Sequence, residues 1–284
     1  LRSRKVYKIM ILLIVVVLLV SFSYFQNNAI ITSEYSIQSN KLPESFDGYT
    51  IVQLSDLHNK SFRADQSYLV NRVNNLRPDL IVFTGDLIDS RKYDEKPSLL
   101  LMEKLVKVAP VYYVTGNHEW RSGIFDDLEV KLQNIGVNVM RNSSEEIVYE
   151  NEIINLIGID DPAKGEATYA EKTITEENLN KVEIIKGEGF QILLAHRPEF
   201  FSLYASAEFD LVFTGHAHGG QFRLPFIGGL VAPNQGFFPS YTSGIYKENN
   251  KTTMIVNRGL GNSIIPQRVF NRPEIVVVKL HAEK

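Results

Sequence analysis

The stretch Leu80-Ile81-Val82-Phe83-Thr84-Gly85-Asp86 decides the fold, because a wholly apolar run ends in a glycine and a carboxylate between two segments of helical period. Four consecutive apolar residues are what a strand shows when both of its faces are covered. Upstream, Leu69, Val73 and Leu76 recur three and four residues apart within 66–77, an amphipathic helix stopped by Pro78-Asp79. Downstream, 99–108 has helical period with Pro97 suited to its first turn. Val111–Val114 is then a second strand, ending in Thr115-Gly116-Asn117-His118-Glu119.

Outward from this centre the alternation continues. Phe125–Ile135 reads as a helix closed by Gly136. Residues 147–149 and 153–159 read as paired strands, followed by an Asp160-Asp161-Pro162 turn. A polar helical stretch covers 175–185, Gln191–Ala195 is a strand ending in His196-Arg197-Pro198, and Leu211–Phe213 leads into Thr214-Gly215-His216-Ala217-His218. Residues 222–246, rich in glycine, proline and aromatics, read as long loops, and 254–257 and 275–280 close the chain as strands. Towards the N-terminus, Thr50–Leu54 is a strand that runs into Ser55-Asp56-Leu57-His58. Strands alternating with helices imply an α/β layered fold, with a mixed sheet or two sheets face to face and helices outside.

The 284 residues are 44% hydrophobic, enough for one large core, and nothing in the composition suggests a repeat array or disorder. With no cysteine, disulfides, thiolate zinc sites and a cysteine nucleophile are excluded, so nitrogen and oxygen would hold any metal. Arg2, Arg4, Lys5 and Lys8 precede the apolar run Ile9–Val20, and no charge follows until Glu34. Such a span crosses about 30 Å of hydrocarbon as a helix, and the basic cluster before it places the N-terminus in the cytoplasm. This predicts a basic tail and transmembrane anchor over 1–26, a stalk over 27–48 and an extracytoplasmic domain over 49–284 in a single-pass protein of the cell membrane. A cleaved signal peptide is the rival reading, with Ser21-Phe22-Ser23 as the small-x-small triplet near the end of the run. The formal net charge is −3, and setting aside the four basic residues of the tail leaves −7 for the remainder. That balance suits neither nucleic acid nor, without a local patch of the other sign, an anionic lipid surface.

Asp56, His58, Asp86, Asn117, His196, His216 and His218 all follow the C-terminal ends of apolar strands, where open α/β sheets place their ligand sites. Of six histidines, five fall at such positions, and His281 does not. His216 and His218, two apart in extended backbone, would point the same way. The donor mix suits divalent Mn, Fe, Zn or Co, while so many imidazoles argue against calcium. Seven donors exceed the needs of one ion. Two ions sharing a bridging carboxylate account for the surplus, and a pair about 3.5–4 Å apart suits in-line displacement at phosphorus.

Asp-x-His at 56–58, Gly-Asp-x-x-Asp at 85–89, Gly-Asn-His-Glu at 116–119, the strand-end His196 and Gly-His-x-His at 215–218, in this order, resemble the calcineurin-like metallophosphoesterase family. The resemblance runs from about Thr50 to the end. Gly219-Gly220-Gln221, Arg258-Gly259-Leu260-Gly261, Pro266 and Arg268 resemble its membrane-associated, YkuE-like bacterial branch. What this implies is a four-layer α-β-β-α sandwich of two mixed sheets, and a dinuclear-metal enzyme hydrolysing a phosphomonoester or phosphodiester. By the same resemblance Asp56, His58 and His218 hold one ion, Asn117, His196 and His216 the other, and Asp86 bridges them, with manganese the first expectation. A hydroxide between the ions would attack phosphorus in line. His118 would protonate the leaving oxygen or stabilise its charge, and Asp89 would accept a hydrogen bond from His118 and fix its tautomer. Three positions depart from some members: Ala217 replaces a frequent Thr, Asp89 is not the Tyr of iron-tyrosinate enzymes, and Ser90 separates Asp89 from Arg91.

Plainer readings compete at each position. Asp56 and Asp86 would also serve as helix caps and Asn117 as a turn residue, although capping does not explain the accompanying histidines. Glu119 is taken as structural, and Arg197 and Arg258 either touch substrate phosphate or form salt bridges. The aromatic loop with Phe222, Phe226, Ile227, Leu230, Phe237, Phe238 and Tyr241 is either core beneath long loops or an apolar lip that dips toward the bilayer or takes acyl chains, as a lipid-linked substrate would require. A metal-binding or scaffold protein without catalysis is the alternative function, and the presence of His118 weighs against it.

Overall fold

In the computed structural model, which describes residues 2–164, 170–183, 189–248, 251–262 and 265–283, the chain opens with α1 (Arg2–Asn28) and β1 (Ile31–Ser39). Then come β2 (Thr50–Leu54), α2 (Ser67–Asn75), β3 (Leu80–Thr84), α3 (Lys96–Leu105), β4 (Val111–Val114), α4 (Asn117–Ser122), α5 (Phe125–Ile135) and β5 (Asn138–Val139). The second half has β6 (Ser143–Tyr149), β7 (Glu152–Gly158), α6 (Glu171–Glu183), β8 (Gln191–Leu194), α7 (Phe201–Ser206) and β9 (Leu211–Thr214). Two short hairpins follow, β10 (Arg223–Leu224) with β11 (Gly228–Gly229) and β12 (Val231–Ala232) with β13 (Gly236–Phe237). Strands β14 (Gly244–Glu248), β15 (Thr252–Val256) and β16 (Glu274–Ala282) complete the chain. Residues 184–185, the end of the helical stretch expected over 175–185, lie outside the described residues.

Six strands in the order β1-β16-β2-β3-β4-β5 form one sheet, and β14-β15-β9-β8-β7-β6 form the other. Both are mixed: β16 runs antiparallel to β2 in the first, and β6 and β14 are the antiparallel edges of the second. The period of two along each strand sorts its side chains into layers. From β3, Ile81 and Phe83 pack outward on Leu69 and Val73 of α2, Leu101 and Leu105 of α3, and Leu128 and Leu132 of α5. Leu80 and Val82 point the other way, against Ile192, Leu194, Leu211 and Phe213 of the second sheet. On the far side Leu193 and Val212 meet Leu179 and Val182 of α6 and Phe201 and Tyr204 of α7. Helix, sheet, sheet, helix is the four-layer α-β-β-α sandwich. One buried amide pins the two sheets beside the strand ends: Gln53 Nε2 donates to Thr84 Oγ1 at 3.0 Å and to Thr214 O at 2.8 Å.

The stretch expected as a stalk over 27–48 is structured otherwise. Its residues 31–39 are β1, an edge strand paired in parallel with all of β16. Only Ile37 and Tyr35 reach the core between the sheets, and the polar remainder faces solvent, so the alternation that marks a strand is faint. The loops expected over 222–246 contain the two hairpins and the start of β14. Residues Arg4–Asn28 of α1 are long and apolar enough to cross a membrane. The last turns of this helix touch the domain: Asn27 Nδ2 donates to Pro266 O at 3.2 Å, Asn27 Oδ1 accepts from Arg268 N at 2.9 Å, and Lys60 Nζ donates to Asn27 O.

Candidate metal centre

The C-terminal ends of β2, β3, β4, β8 and β9 lie side by side, and each delivers its polar residues two to four positions after the last strand residue. The turns there are sharp. Asp56, His58, Asp86, His216 and His218 have φ of 51°, 49°, 53°, 64° and 46°, a left-handed region that non-glycine residues avoid and that collects at functional sites. The surrounding backbone holds them there: Asp56 N donates to Gly85 O at 3.0 Å and His58 N to Asp86 O at 3.1 Å. Glycine makes room for this crowding. A Cβ on Gly259, at φ +72°, would lie 2.7 Å from Asp56 Cβ, and one on Gly85, at φ +86°, would lie 2.6 Å from His196 Nδ1.

Among the described residues, side chains far apart in sequence meet in three groups of donors, one of them His58, Asp89 and the adjoining His118, and the other two wholly buried around Asp86. Of these two, Asp56, His58, Asp86 and His218 form one, Asp86, His196 and His216 the other, and all are buried. Asp86 belongs to both. In the first group His58 Nε2 is 3.1 Å from His218 Nε2 and 3.5 Å from Asp86 Oδ2, while His218 Nε2 is 3.3 Å from Asp56 Oδ1. In the second, His196 Nε2 is 3.3 Å from Asp86 Oδ2 and 3.1 Å from His216 Nδ1. Thr84 O accepts from His196 Nδ1 at 2.7 Å, so it is Nε2 that faces the group and bears the lone pair whenever the ring is neutral. The Asn117 amide lies beside it, its Nδ2 donating to His216 Nδ1 at 2.9 Å and its Oδ1 accepting from Arg121 Nη1 at 3.1 Å.

Burial governs the charges. It pushes the His58 imidazole down to about 3, and His216 and His218 well below the usual histidine range, so these rings are neutral and present lone pairs. Burial also lifts Asp56 to about 7, reinforced by Asp86 and opposed by His196. For Asp86 burial acts upward too, but His196 and His118 outweigh it and its carboxyl stays well below the usual range. Burial lowers His196, yet Asp86 and then Asp56 raise it to about 10. A proton on His196 Nε2 and a divalent cation therefore compete for one place. The donor set fits such a cation: neutral imidazole nitrogens and carboxylate oxygens are turned on one another, and protons on two facing rings satisfy only part of them.

His118 stands beside both groups, its ring edge-on to His58 with centroids 4.5 Å apart. Its backbone N–H donates to Asp86 Oδ1 at 2.9 Å. The side-chain Nδ1 accepts from Ser90 N at 3.0 Å, so the neutral ring carries its proton on Nε2. The expected partner, Asp89, has its Oδ1 3.4 Å from Nδ1 and is itself held by Arg91 through backbone N at 2.9 Å and guanidinium at 3.2 Å. Ser90, not Asp89, therefore fixes the tautomer.

Residues 49–220 match the model of the calcineurin-like phosphoesterase family. The chain is also 32% identical over 265 residues to the uncharacterized metallophosphoesterase YkuE of Bacillus subtilis, covering 90% of this chain and 87% of that protein. The chain belongs to the calcineurin-like phosphoesterase family. A second bacterial relative, the uncharacterized metallophosphoesterase Cj0846 of Campylobacter jejuni, is 29% identical over 99% of this chain and 73% of its own length. A transmembrane protein with metallophosphoesterase domain from Danio rerio is 31% identical over 87% of this chain and 56% of its own length.

Several residues around this calcineurin-like centre carried no clear sign in the sequence. Arg121 lies one helical turn after Asn117, a spacing that would have found it. Asn234 comes from the β12–β13 hairpin, with Oδ1 3.5 Å from His216 Nε2. Both line a cavity of about 190 Å³ together with Asp86, Arg91, Asn117 and His118. Glu119, read as structural, accepts four buried backbone N–H groups: Gly116 at 2.7 Å, Asp86 and Leu87 at 2.9 Å and Ile88 at 3.2 Å. Arg197 is a buried salt-bridge partner, 2.6 Å from Asp161 and 3.3 Å from Glu171, with Nη1 3.3 Å from His216 Nε2. Asp161 is thus more than a turn residue. Arg258 pairs with Glu274 at 3.6 Å.

Proposed function

We propose that this chain is a membrane-anchored hydrolase of a phosphomonoester or phosphodiester, working at a dinuclear metal centre. The observation that carries the reading is Asp86, the one carboxylate common to two buried donor groups. Asp56, His58 and His218 would hold one divalent ion, Asn117, His196 and His216 the other, and Asp86 both. Bound there, two such ions acidify water and neutralise the charge of a phosphate group. The protein supplies the remainder. His118, its Nδ1 engaged by Ser90, carries an Nε2 proton that would hydrogen-bond to the leaving oxygen and stabilise its developing charge. Arg91 and Arg121 bring positive charge to the cavity wall, where phosphate oxygens would be recognised. Anchoring rests on the apolar helix α1, and the basic residues before it favour a cytoplasmic N-terminus with the domain outside.

The purified full chain, loaded with manganese, should bind about two ions and hydrolyse a nitrophenyl phosphodiester or monoester. Asp86→Ala should lose both metal and turnover. His118→Ala should keep its metal and slow turnover by roughly 10²–10⁴. Wild-type protein that holds two ions and hydrolyses neither ester would favour a non-catalytic, metal-binding role.

A further inference from the structure

Three properties of one face lie outside the work of the metal centre. The first is a set of bare apolar side chains at the tip of the first hairpin and the open end of the second. Phe226, between β10 and β11, is 108% exposed, and Phe237 and Phe238, at the end of β13, are 81% and 70% exposed, with Ile227 beside them. Exposed apolar patches of this kind mark interaction surfaces. Phe226 and Phe238 also have φ of 69° and 53°, conformations that bulky residues avoid, so the chain holds both rings outward under strain.

The second is continuity with α1. Phe22 of that helix meets Phe270 edge-on, ring centroids 5.7 Å apart, and Arg272 lies over the Phe25 ring at 5.0 Å. Phe22 is six residues before Asn28, about 9 Å along the helix axis. Segment 265–272 therefore runs beside the last two turns of α1, the level at which a spanning helix leaves hydrocarbon and aromatic residues gather. The first hairpin rides on this same segment: Arg223 N donates to Val269 O at 3.0 Å, and Gln221 Nε2 just before it donates to Ile265 O at 2.8 Å and Gln267 O at 2.9 Å; the second is tied to the first through Leu230, whose N donates to Phe222 O and whose O accepts from Phe238 N, both at 2.9 Å.

The third is charge. From Leu211 to Lys247, a stretch that includes both hairpins, there is no acidic residue, although the chain has 33 among 284 residues. In a domain that is otherwise acidic, this part of the chain lacks the negative charge that would repel anionic lipid.

From these we infer that the hairpin face seats on the bilayer beside α1, with Phe226, Ile227, Phe237 and Phe238 inserted among the lipids. The β12–β13 hairpin that carries Phe237 also brings Asn234 to the cavity wall, so docking sets the cavity mouth near the headgroup layer. The inference rests on α1 spanning the membrane and needs no catalytic activity.

Because the chain has no cysteine, single ones can be introduced and spin-labelled. Phe226→Cys, Phe237→Cys, Leu13→Cys and Val148→Cys would be placed in the full chain in liposomes of zwitterionic and anionic phospholipid. Power saturation would then compare access of oxygen and of a water-soluble nickel complex to each label. Val148 is exposed beside Leu80 and Tyr112, at the strand ends opposite the metal centre. Labels at 226 and 237 should show an oxygen-to-nickel access ratio several-fold above that at 148 and approaching that at 13. Ratios at 226 and 237 equal to that at 148, with 13 still oxygen-favoured, would overturn the docking. A water-like label at 13 would remove the anchor and the docking together.

Discussion

Glu119→Gln replaces one carboxylate oxygen by an amide and leaves the side-chain shape almost unchanged, yet it should be among the costlier single changes in this domain. Oε1 accepts from Leu87 N and Ile88 N, and Oε2 from Asp86 N and Gly116 N, all buried. Whichever oxygen becomes nitrogen, two of the four N–H groups face another donor. An unsatisfied buried donor costs about 1–3 kcal/mol, so the substitution should cost about 2–6 kcal/mol. Burial, reinforced by Asp86, lifts the Glu119 carboxyl to about 7 against the N–H groups of Gly116 and Ile88. The comparison therefore belongs at pH 8, where the wild type is a carboxylate and glutamine is a poor mimic. Near-UV circular dichroism of the full chain in detergent would follow thermal unfolding, with the exposed Glu177→Gln as control. For a domain of this size each kcal/mol is worth roughly 2–4 °C. A Glu119→Gln midpoint within 1 °C of the control would refute the four-donor account of how the β3 and β4 turns are held together.

Gly259→Ala should destabilise by about 1–3 kcal/mol and weaken metal uptake, because its Cβ would press on Asp56; Gly48→Ala, at φ +87° with open space around it, supplies the same backbone strain without the contact. Equal metal uptake by the two variants would exclude that steric explanation. Arg197→Ala leaves Asp161, Glu171 and Glu199 as a buried carboxylate cluster and should cost about 3–5 kcal/mol, whereas Arg197→Met with Asp161→Leu should recover part of that loss in urea unfolding. Metal uptake should strengthen with pH. His196, raised to about 10, carries a proton below that value, and Asp56, raised to about 7, carries one below 7, so both must be displaced at pH 6 but only the first at pH 8. Calorimetry in buffers of different ionisation enthalpy should therefore show more protons released per ion at pH 6 than at pH 8, and the reverse order would contradict these charge states.

The ligand-bearing turns were legible because a strand that ends in glycine and a polar donor announces itself over seven or eight residues. Leu80–Asp86 and Leu211–His218 each do so, and the apolar runs before them can only be covered strands. Where a segment contributes through its neighbours the signal fades. β1 is polar along most of its length and becomes a strand because β16 offers it an edge. The first hairpin owes its place to a backbone bond over more than forty residues, Arg223 to Val269, and Asn234 to the Glu171 carboxylate that accepts from its Nδ2 at 2.7 Å.

Sequence alone determined the alternation of strands and helices, the set of oxygen and nitrogen donors at strand ends and the apolar N-terminal helix, since each is a property of local period and residue type. Tertiary structure alone decided that Ser90 and not Asp89 sets the His118 tautomer, that Asn234 reaches the cavity wall, and that Arg197 is locked among carboxylates. Those are distances between residues brought together by the pairing of β2, β3, β4, β8 and β9 in two facing sheets, and no local pattern encodes a distance across a fold.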